Sequence, residues 1–391
     1  MHPFPHIGAM TRAIGVAAYV LVSCVTPAAA APANPQANLA PPSRPFVPKK
    51  PFLKVSYDCI LLGPLAYDEE PDVYHAFFYE PDYPRDRHHE AVFKRNAEMW
   101  EERMPSLLQA AGKCADSDTK MVLQLGHLVQ GDCGTPELYR KMLQSAIGKC
   151  KAAFPRTPFL TTPAPQDRKG PGAQEAYDKT IPAFLSKELR HTVNGGTFCL
   201  MQGPDLFLFI DEAKPDLDEI EKAFRDHQIA RYKFVISASP VIPIDDANAP
   251  LLLFKNKPDP RRRMRELFLK NDVIVLSAAG RLMELSEVMT DSGRITQLLV
   301  NSLYVRGKMA VPKEEASGAR EYGKFQPSRE EIRKKKKRDH RPLLYEYKNA
   351  LSRYERYRFA GFAVLKISGD GVVAEIHGGD SADVTKTIKL R

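Results

Sequence analysis

The stretch "LQLGHLVQGDCGT", Leu123 to Thr135, runs from an apolar strand through a glycine into a polar turn and then a helical pattern. A strand exit of this kind has the cadence of a metal-binding loop. Yet the position after Gly126, where a cation would be met by a carboxylate, holds His127.

The same alternation continues on both sides. Upstream stand "FLKVSYDCILLG" and the helix-like "AVFKRNAEMWEERMPSLLQAA"; downstream come "PELYRKMLQSAIGKCKAAF" and the strand "PFLTTP". Farther on, "DLFLFID", "ARYKFVIS" and "NDVIVLS" read as strands, with "DLDEIEKAFRDH" and "RRRMRELFLKN" as helices between them. Strands alternating with helices predict an α/β layered domain, with a core from about Phe52 to about Met309. The chain closes on "FAGFAVLKISGDGVVAEIHG", two alternating strands around Gly369-Asp370-Gly371, a β-hairpin over 360–378.

With 391 residues, 43% of them hydrophobic, the chain has enough apolar surface for one large core or two smaller ones. Residues 1–31 read as an export signal, because Arg12 precedes the apolar run "AIGVAAYVLVSCV", too short to span a bilayer. Leu21 to Cys24, "LVSC", reads as a lipobox with Cys24 as the lipidated residue. Ala28 and Ala30 equally suit an ordinary signal peptidase, and both readings stay open. Either leads out of the cytoplasm, to a bacterial periplasm, a lipid-anchored state or secretion. Residues 32–51 carry a proline every few positions and form an extended spacer. Apart from Cys24 there are five cysteines and no CxxC spacing, which disfavours a cysteine zinc site. Cys133 and Cys150, flanking "GTPELYRKMLQSAIGK", are expected to form a disulfide.

The net charge of +9 is locally concentrated in "EEIRKKKKRDHR", on a basic helix near 328–358 that opens with the capping box Ser328 to Glu331. Lys334 to Arg338 read either as a solvated helical face or as a patch for an anionic envelope polymer or lipid head groups. Nucleic acid is not an expected partner, since the chain is exported and carries no nucleic-acid motif.

In an open α/β sheet, ligands sit beyond the carboxyl ends of the strands. Five such exits stand out here: "LLGPLA", "LGHLVQG", "TTPAPQDR", "FVISASPVI" and "IVLSAAGRL". Their order and flanks resemble a calcineurin-like metallophosphoesterase across residues 52–391. The resemblance implies a two-layer mixed β-sandwich flanked by α-helices with a C-terminal β-hairpin, binding two divalent metal ions at the strand ends. At the first exit Gly63 stands where the family places Asp, and Leu65 where it places His. At the second, His127 takes an Asp position and Gln130 a further acidic one. At the third, Ala164, Pro165 and Gln166 replace Gly, Asn and His, and only Asp167 is kept. Ala238 occupies the ligand His of the fourth exit, where Pro240 is retained. At the fifth, Ala279 and Arg281 take two His positions.

On this alignment the chain is a degenerate member of the family. Two divalent cations need about six or seven oxygen and imidazole ligands, several of them anionic. Gly63, Leu65, Pro165, Ala238 and Ala279 offer no side-chain donor, and Gln166 cannot act as the acid that family members place there. The expectation is therefore no metal cofactor, no catalytic residue, and a binding or scaffolding role in the cell envelope for an unknown partner or anionic polymer. The alternative is a divergent metal-dependent phosphoesterase with a reduced or relocated metal site. Arg281 is read either as a cation filling the vacated site, paired with Asp167 or Asp132, or as a solvent-facing arginine.

A relocated single-metal site has one candidate, the loop 66–90, with Asp68, Glu69, Glu70, Asp72, His75, His88 and His89. Its spacing is irregular, and solvated acids are the plainer reading. The loop's aromatics, Tyr67, Tyr74, Phe77, Phe78, Tyr79 and Tyr83, are expected to pack it onto the body. His127 itself reads as a satisfied histidine at a buried strand end. Ser56, Ser237 and Ser277 lie on or near strands without a Gly-x-Ser-x-Gly elbow.

Overall fold

The computed structural model describes residues 55–68, 75, 87–244, 251–278, 282–303, 310–322 and 341–391. The expected export signal with Cys24, the 32–51 spacer and the Lys334 to Arg338 run lie outside the described residues.

Among those residues the chain forms β1 (Tyr57–Leu62), α1 (Arg87–Glu102), α2 (Met104–Lys113), β2 (Thr119–Gln124), α3 (Pro136–Ala153), β3 (Phe159–Thr161) and α4 (Ala173–Leu189). Next come β4 (Phe198–Gln202), β5 (Asp205–Phe209), α5 (Leu217–Asp226), β6 (Lys233–Ser237), α6 (Pro258–Lys270), β7 (Ile274–Ser277), β8 (Met283–Thr290) and β9 (Gly293–Leu299). The last are β10 (Lys313–Ser317), α7 (Arg341–Lys348), β11 (Leu351–Arg358), β12 (Gly361–Ser368), β13 (Gly371–Gly378) and β14 (Val384–Lys389).

The strands make two mixed sheets. One has the order β14-β13-β12-β1-β2-β3, the other β10-β11-β8-β9-β7-β6-β5-β4. β1, β2 and β3 run parallel, as do β5, β6, β7 and β9, so their carboxyl ends fall on one rim of each sheet. The architecture is a two-layer mixed β-sandwich flanked by helices; the expected β12–β13 hairpin is present but does not close the chain, because β14 follows and pairs antiparallel with β13 at the sheet's edge.

The period-two alternation of the strands distributes the core. On β5, β6 and β7, Phe207, Phe209, Phe234, Ile236, Ile274 and Leu276 share one cluster with Cys59 and Leu61 of β1, filling the space between the sheets. Their neighbours Leu206, Leu208, Val235 and Val275 join Ile220 and Phe224 of α5 and Met264 and Phe268 of α6 on the outer face. Both faces of these strands are covered, which is why they read as unbroken apolar runs.

At the amino-terminal ends of the strands the sheets are tied by a buried ionic cluster. Asp205 of β5, 0% exposed, accepts from Tyr57 Oη of β1 at 2.8 Å, from Arg231 Nε and Nη2 at 2.9 and 2.5 Å, and from the Tyr232 amide at 3.1 Å. Burial and the Asp205 carboxylate push the Tyr57 hydroxyl far above its usual range.

Several sequence expectations are corrected. The helix expected over Ala91 to Ala111 is two helices, broken at Arg103, with Pro105 in the first turn of α2. The core does not stop near Met309, because β12 pairs antiparallel with β1 (Leu61↔Ala363) and so sits inside the first sheet. The basic helix near 328–358 is helical over Arg341–Lys348, and Leu351–Arg358 is strand β11. The register shift between Leu351 and Arg353 breaks period-two phase there, so Leu351 and Tyr354 share the outer core cluster at helix-like spacing. Cys133 and Cys150 are free and buried. Cys133 packs its sulfur against Met142 Sδ of α3 at 3.9 Å, and from Met142 to Cys150 the helix rises about 12 Å at ~1.5 Å per residue, against the ~4.4–6.8 Å that a disulfide spans.

Candidate functional site

The carboxyl ends of the parallel strands are laced together by side chains that the strands themselves supply. Gln124, the last residue of β2 and fully buried, donates through Nε2 to the carbonyls of Gly63 (3.2 Å) and Gly126 (2.7 Å). Its Oε1 accepts from the Gly126 amide at 3.2 Å and from Thr161 Oγ1 of β3 at 2.5 Å. One amide group thus holds the exits of three adjacent strands. Thr162 Oγ1 donates to the Ile210 carbonyl at 3.1 Å, bridging the two sheets beyond β3 and β5. Ser302 Oγ accepts from the Gly63 amide at 2.8 Å and donates to the Gly361 carbonyl at 2.6 Å, while Ser277 Oγ reaches the Ala238 carbonyl at 3.2 Å.

The loop after β2 is shaped by Asp167. This carboxylate, 0% exposed on the short 3₁₀ turn Pro165–Arg168, accepts from the amides of Val129 (2.9 Å, Oδ1), His127 (2.9 Å, Oδ2) and Ala164 (2.9 Å, Oδ2). Burial pushes its acid up to about 6, against the lowering effect of the Val129, Ala164, His127 and Leu128 amides. The loop it cradles turns through left-handed backbone at His127 (φ 57°) and Asp132 (φ 59°), both non-glycine. Thr135 then caps α3 by accepting from the Leu138 amide, with Pro136 in the first turn.

The positions singled out by sequence have these places. A Cβ on Gly63 would lie 2.3 Å from the Val300 carbonyl oxygen and 2.8 Å from the Ser302 nitrogen, so no side chain fits there without moving backbone. Leu65 is fully buried in the main core, and its carbonyl accepts from Trp100 Nε1 at 2.9 Å. Gln130 Oε1 accepts from Asn96 of α1 at 2.5 Å. A Cβ on Gly126 would lie 2.4 Å from Ala238 Cβ, so the exits of β2 and β6 are in contact. Asp132 pairs with Lys169 at 2.8 Å. Ala279 and Arg281 lie outside the described residues. In the loop 66–90, His75 meets Asp68 at 3.2 Å and stacks on Phe93 at 3.6 Å; Tyr67 is buried edge-on against Trp100, as expected of a packed insertion. Glu69, Glu70, Asp72, Tyr74, Phe77, Phe78, Tyr79 and Tyr83, and the side chains of His88 and His89, lie outside the described residues. Among the described residues, no three of His, Cys, Asp or Glu come together as a metal-binding group.

The exits surround a cavity of about 190 Å³ whose lining includes Pro64, His127, Ala164, Pro165, Gln166 and Ala238. Its wall also includes Glu212, three residues beyond the end of β5, together with Ser239. Sequence reading missed this carboxylate, although its place just after an apolar strand was a signal. Neither of its buried carboxyl oxygens finds a partner of full hydrogen-bond geometry among the described residues. Burial pushes the acid up to about 7, with the Ser239 hydroxyl and Arg168 opposing that rise and Asp167 and Asp211 adding to it. Its neighbour Asp211 is satisfied, pairing with Arg168 at 2.5 Å.

No family model matches the sequence, and no curated protein matches it. Solved structures do. A purple acid phosphatase from yellow lupin (Lupinus luteus) seeds is 10% identical with a TM-score of 0.49, over 86% of this chain and 54% of that one. The structure of PhoD is 11% identical with a TM-score of 0.47, over 85% of this chain and 68% of that one. A dimetal phosphatase from Danio rerio is 8% identical with a TM-score of 0.47, over 86% of this chain and 99% of that one. The chain therefore spans about half the length of the lupin protein. The likeness is one of chain path and places none of their chemistry in this chain.

Two variants test the site. Asp167→Ala leaves several buried amides without an acceptor, each costing about 1–3 kcal/mol. The expected result is a loss of several kcal/mol in denaturant unfolding; a change below about 1 kcal/mol would show that the loop does not depend on it. For Glu212 the sign runs opposite to that of a salt-bridged acid. The folded acid titrates above its ordinary value of 4.5, so no penalty exists below that pH, and stability is lost as pH rises from 4.5 to about 7. At ~1.4 kcal/mol per unit this amounts to about 3 kcal/mol. Glu212→Gln is expected to raise the Tm near pH 8 and leave it almost unchanged near pH 4; an equal shift at both would reject the assignment.

Proposed function

We propose that this chain is a degenerate metallophosphoesterase-like protein that does not hydrolyse phosphate esters by two-metal chemistry and acts by binding or scaffolding in the cell envelope after export. The observation that carries the reading is the state of Asp167. Both of its oxygens accept backbone amides, and a carboxylate has about four lone-pair sites in all, so the one acid retained at the aligned positions has little left to offer a cation. The remaining donors do not fit a dinuclear centre. Gly63 has no room for a carboxylate, Gln130 is engaged by Asn96, and Ala238 carries no ligand atom.

A second reading, a divergent hydrolase with a reduced metal site, draws on His127 and Glu212, which line the same cavity. Two ligands fall short of the three protein donors that catalytic zinc sites use. The deciding experiment loads the purified chain with manganese, measures bound metal by mass spectrometry, and assays a phosphomonoester and a phosphodiester. Substoichiometric metal and no manganese-dependent turnover are expected. One manganese per chain with turnover abolished by His127→Ala would establish the second reading instead.

Export, with or without a lipid on Cys24, rests on residues 1–31, and envelope contact on the Lys334 to Arg338 run. The chain is expected to sediment with anionic phospholipid vesicles in low salt and to leave them near 0.5 M salt, where the screening length falls to a few ångströms. Replacing Lys334, Lys335, Lys336 and Lys337 with Gln should abolish sedimentation; unchanged binding would remove the basic run from the proposal.

A further inference from the structure

We propose that the cavity at the strand exits is a binding site for a small organic cation, an ammonium or guanidinium head on a short aliphatic stem, with Glu212 as its counter-charge. This deepens the non-catalytic reading above and rests on it. Pro64, Ala164, Ala238, Ala278 and Leu303 give the cavity an apolar lining. At about 190 Å³ it holds roughly six waters' share of volume, enough for a head group and a few methylenes.

The charge pattern selects the sign of the ligand. Asp167 is closed off by amides, Asp132 is paired with Lys169, and Asp211 is paired with Arg168. Arg168, a basic group acting on Glu212, is already committed to Asp211 and Asp178 and lies over the Tyr177 ring. Among the described residues Glu212 is thus left as the carboxylate without an ion-pair partner, its buried oxygens meeting no donor of full hydrogen-bond geometry and the Ser239 hydroxyl being the neutral group that acts on it. A buried charge in that state is costly, and a desolvated cation is the partner that offsets it most strongly. An anion in the cavity would meet the like charge of Glu212 in its wall. His127, Gln166 and Ser239 add polar atoms to the lining that can accept from an ammonium or guanidinium head. In the ligand-free chain the Glu212 oxygens are shielded, so the carboxylate reaches its ligand by a rotamer change.

The test is calorimetric titration of the whole chain with n-butylammonium and, in a second arm, ethylguanidinium, with inorganic phosphate as the opposite-charge probe. Binding of at least one cation near pH 8 is expected, with affinity falling about tenfold or more near pH 5.5, where Glu212 carries a proton. Glu212→Gln should abolish the heat. Gln166→Trp, which keeps the carboxylate and fills the cavity rim, should abolish it too, so the inference does not hang on one variant. Silence from both cations at pH 8, equal binding by Glu212→Gln, or phosphate bound in their place would overturn it. Manganese-dependent turnover in the same preparation would count against the non-catalytic reading alone, since cation heat lost in Glu212→Gln supports the inference either way.

Discussion

A buried carboxylate has to be met by donors, and at Asp167 the donors are main-chain amides. Because His127, Val129 and Ala164 all point their N–H groups at one side chain, the loops leaving β2 and β3 have a single relative position. That position brings Gly126 against Ala238 and sets the left-handed turn at His127. The strained backbone is the cost of bringing so many amides to one acceptor, and the desolvated charge is tolerable only because they arrive together.

The two ends of the sandwich are held by different physics. At the amino-terminal ends Asp205, Arg231 and Tyr57 form an ionic cluster whose members would each be expensive to leave alone. At the carboxyl ends Gln124, Thr161, Thr162, Ser277 and Ser302 use neutral hydrogen bonds, each contributing about 1 kcal/mol net. Such a lattice is short-ranged, and it works beside the amide-bound Asp167 and the ion pairs Asp132–Lys169 and Asp211–Arg168. Beside those partnered charges Glu212 stands out in the cavity wall as a buried carboxylate with no ion-pair partner among the described residues.

The parallel strands were legible because strands buried on both faces read as continuous apolar runs, as in "CILLG", "MVLQL" and "LFLFI". The β12–β13 hairpin was legible from its Gly-Asp-Gly turn, while β14 beyond it was not anticipated. Strand β11 was not, because its register shift gives Leu351 and Tyr354 the spacing of a helix. Helix α4 hides behind Pro182, which sits inside it and whose carbonyl accepts from Ser186 Oγ. The cysteine pair misled because distance along the chain says nothing about the rigid helix between. At the site, exit positions could be found by counting from the strands. The work of Gln124 and the isolation of Glu212 could not, since both depend on which atoms lie opposite across the sheets.

Gly63 carries one more implication. Its α-carbon faces the Val300 carbonyl so closely that any L-residue would collide with backbone belonging to β9's exit, itself pinned through Ser302 to β12. A point substitution to an acid at that position therefore meets a wall before it can meet a cation. Any side chain at residue 63 would need the exits of β1 and β9 to move apart together, so the identity of that position is fixed by shape.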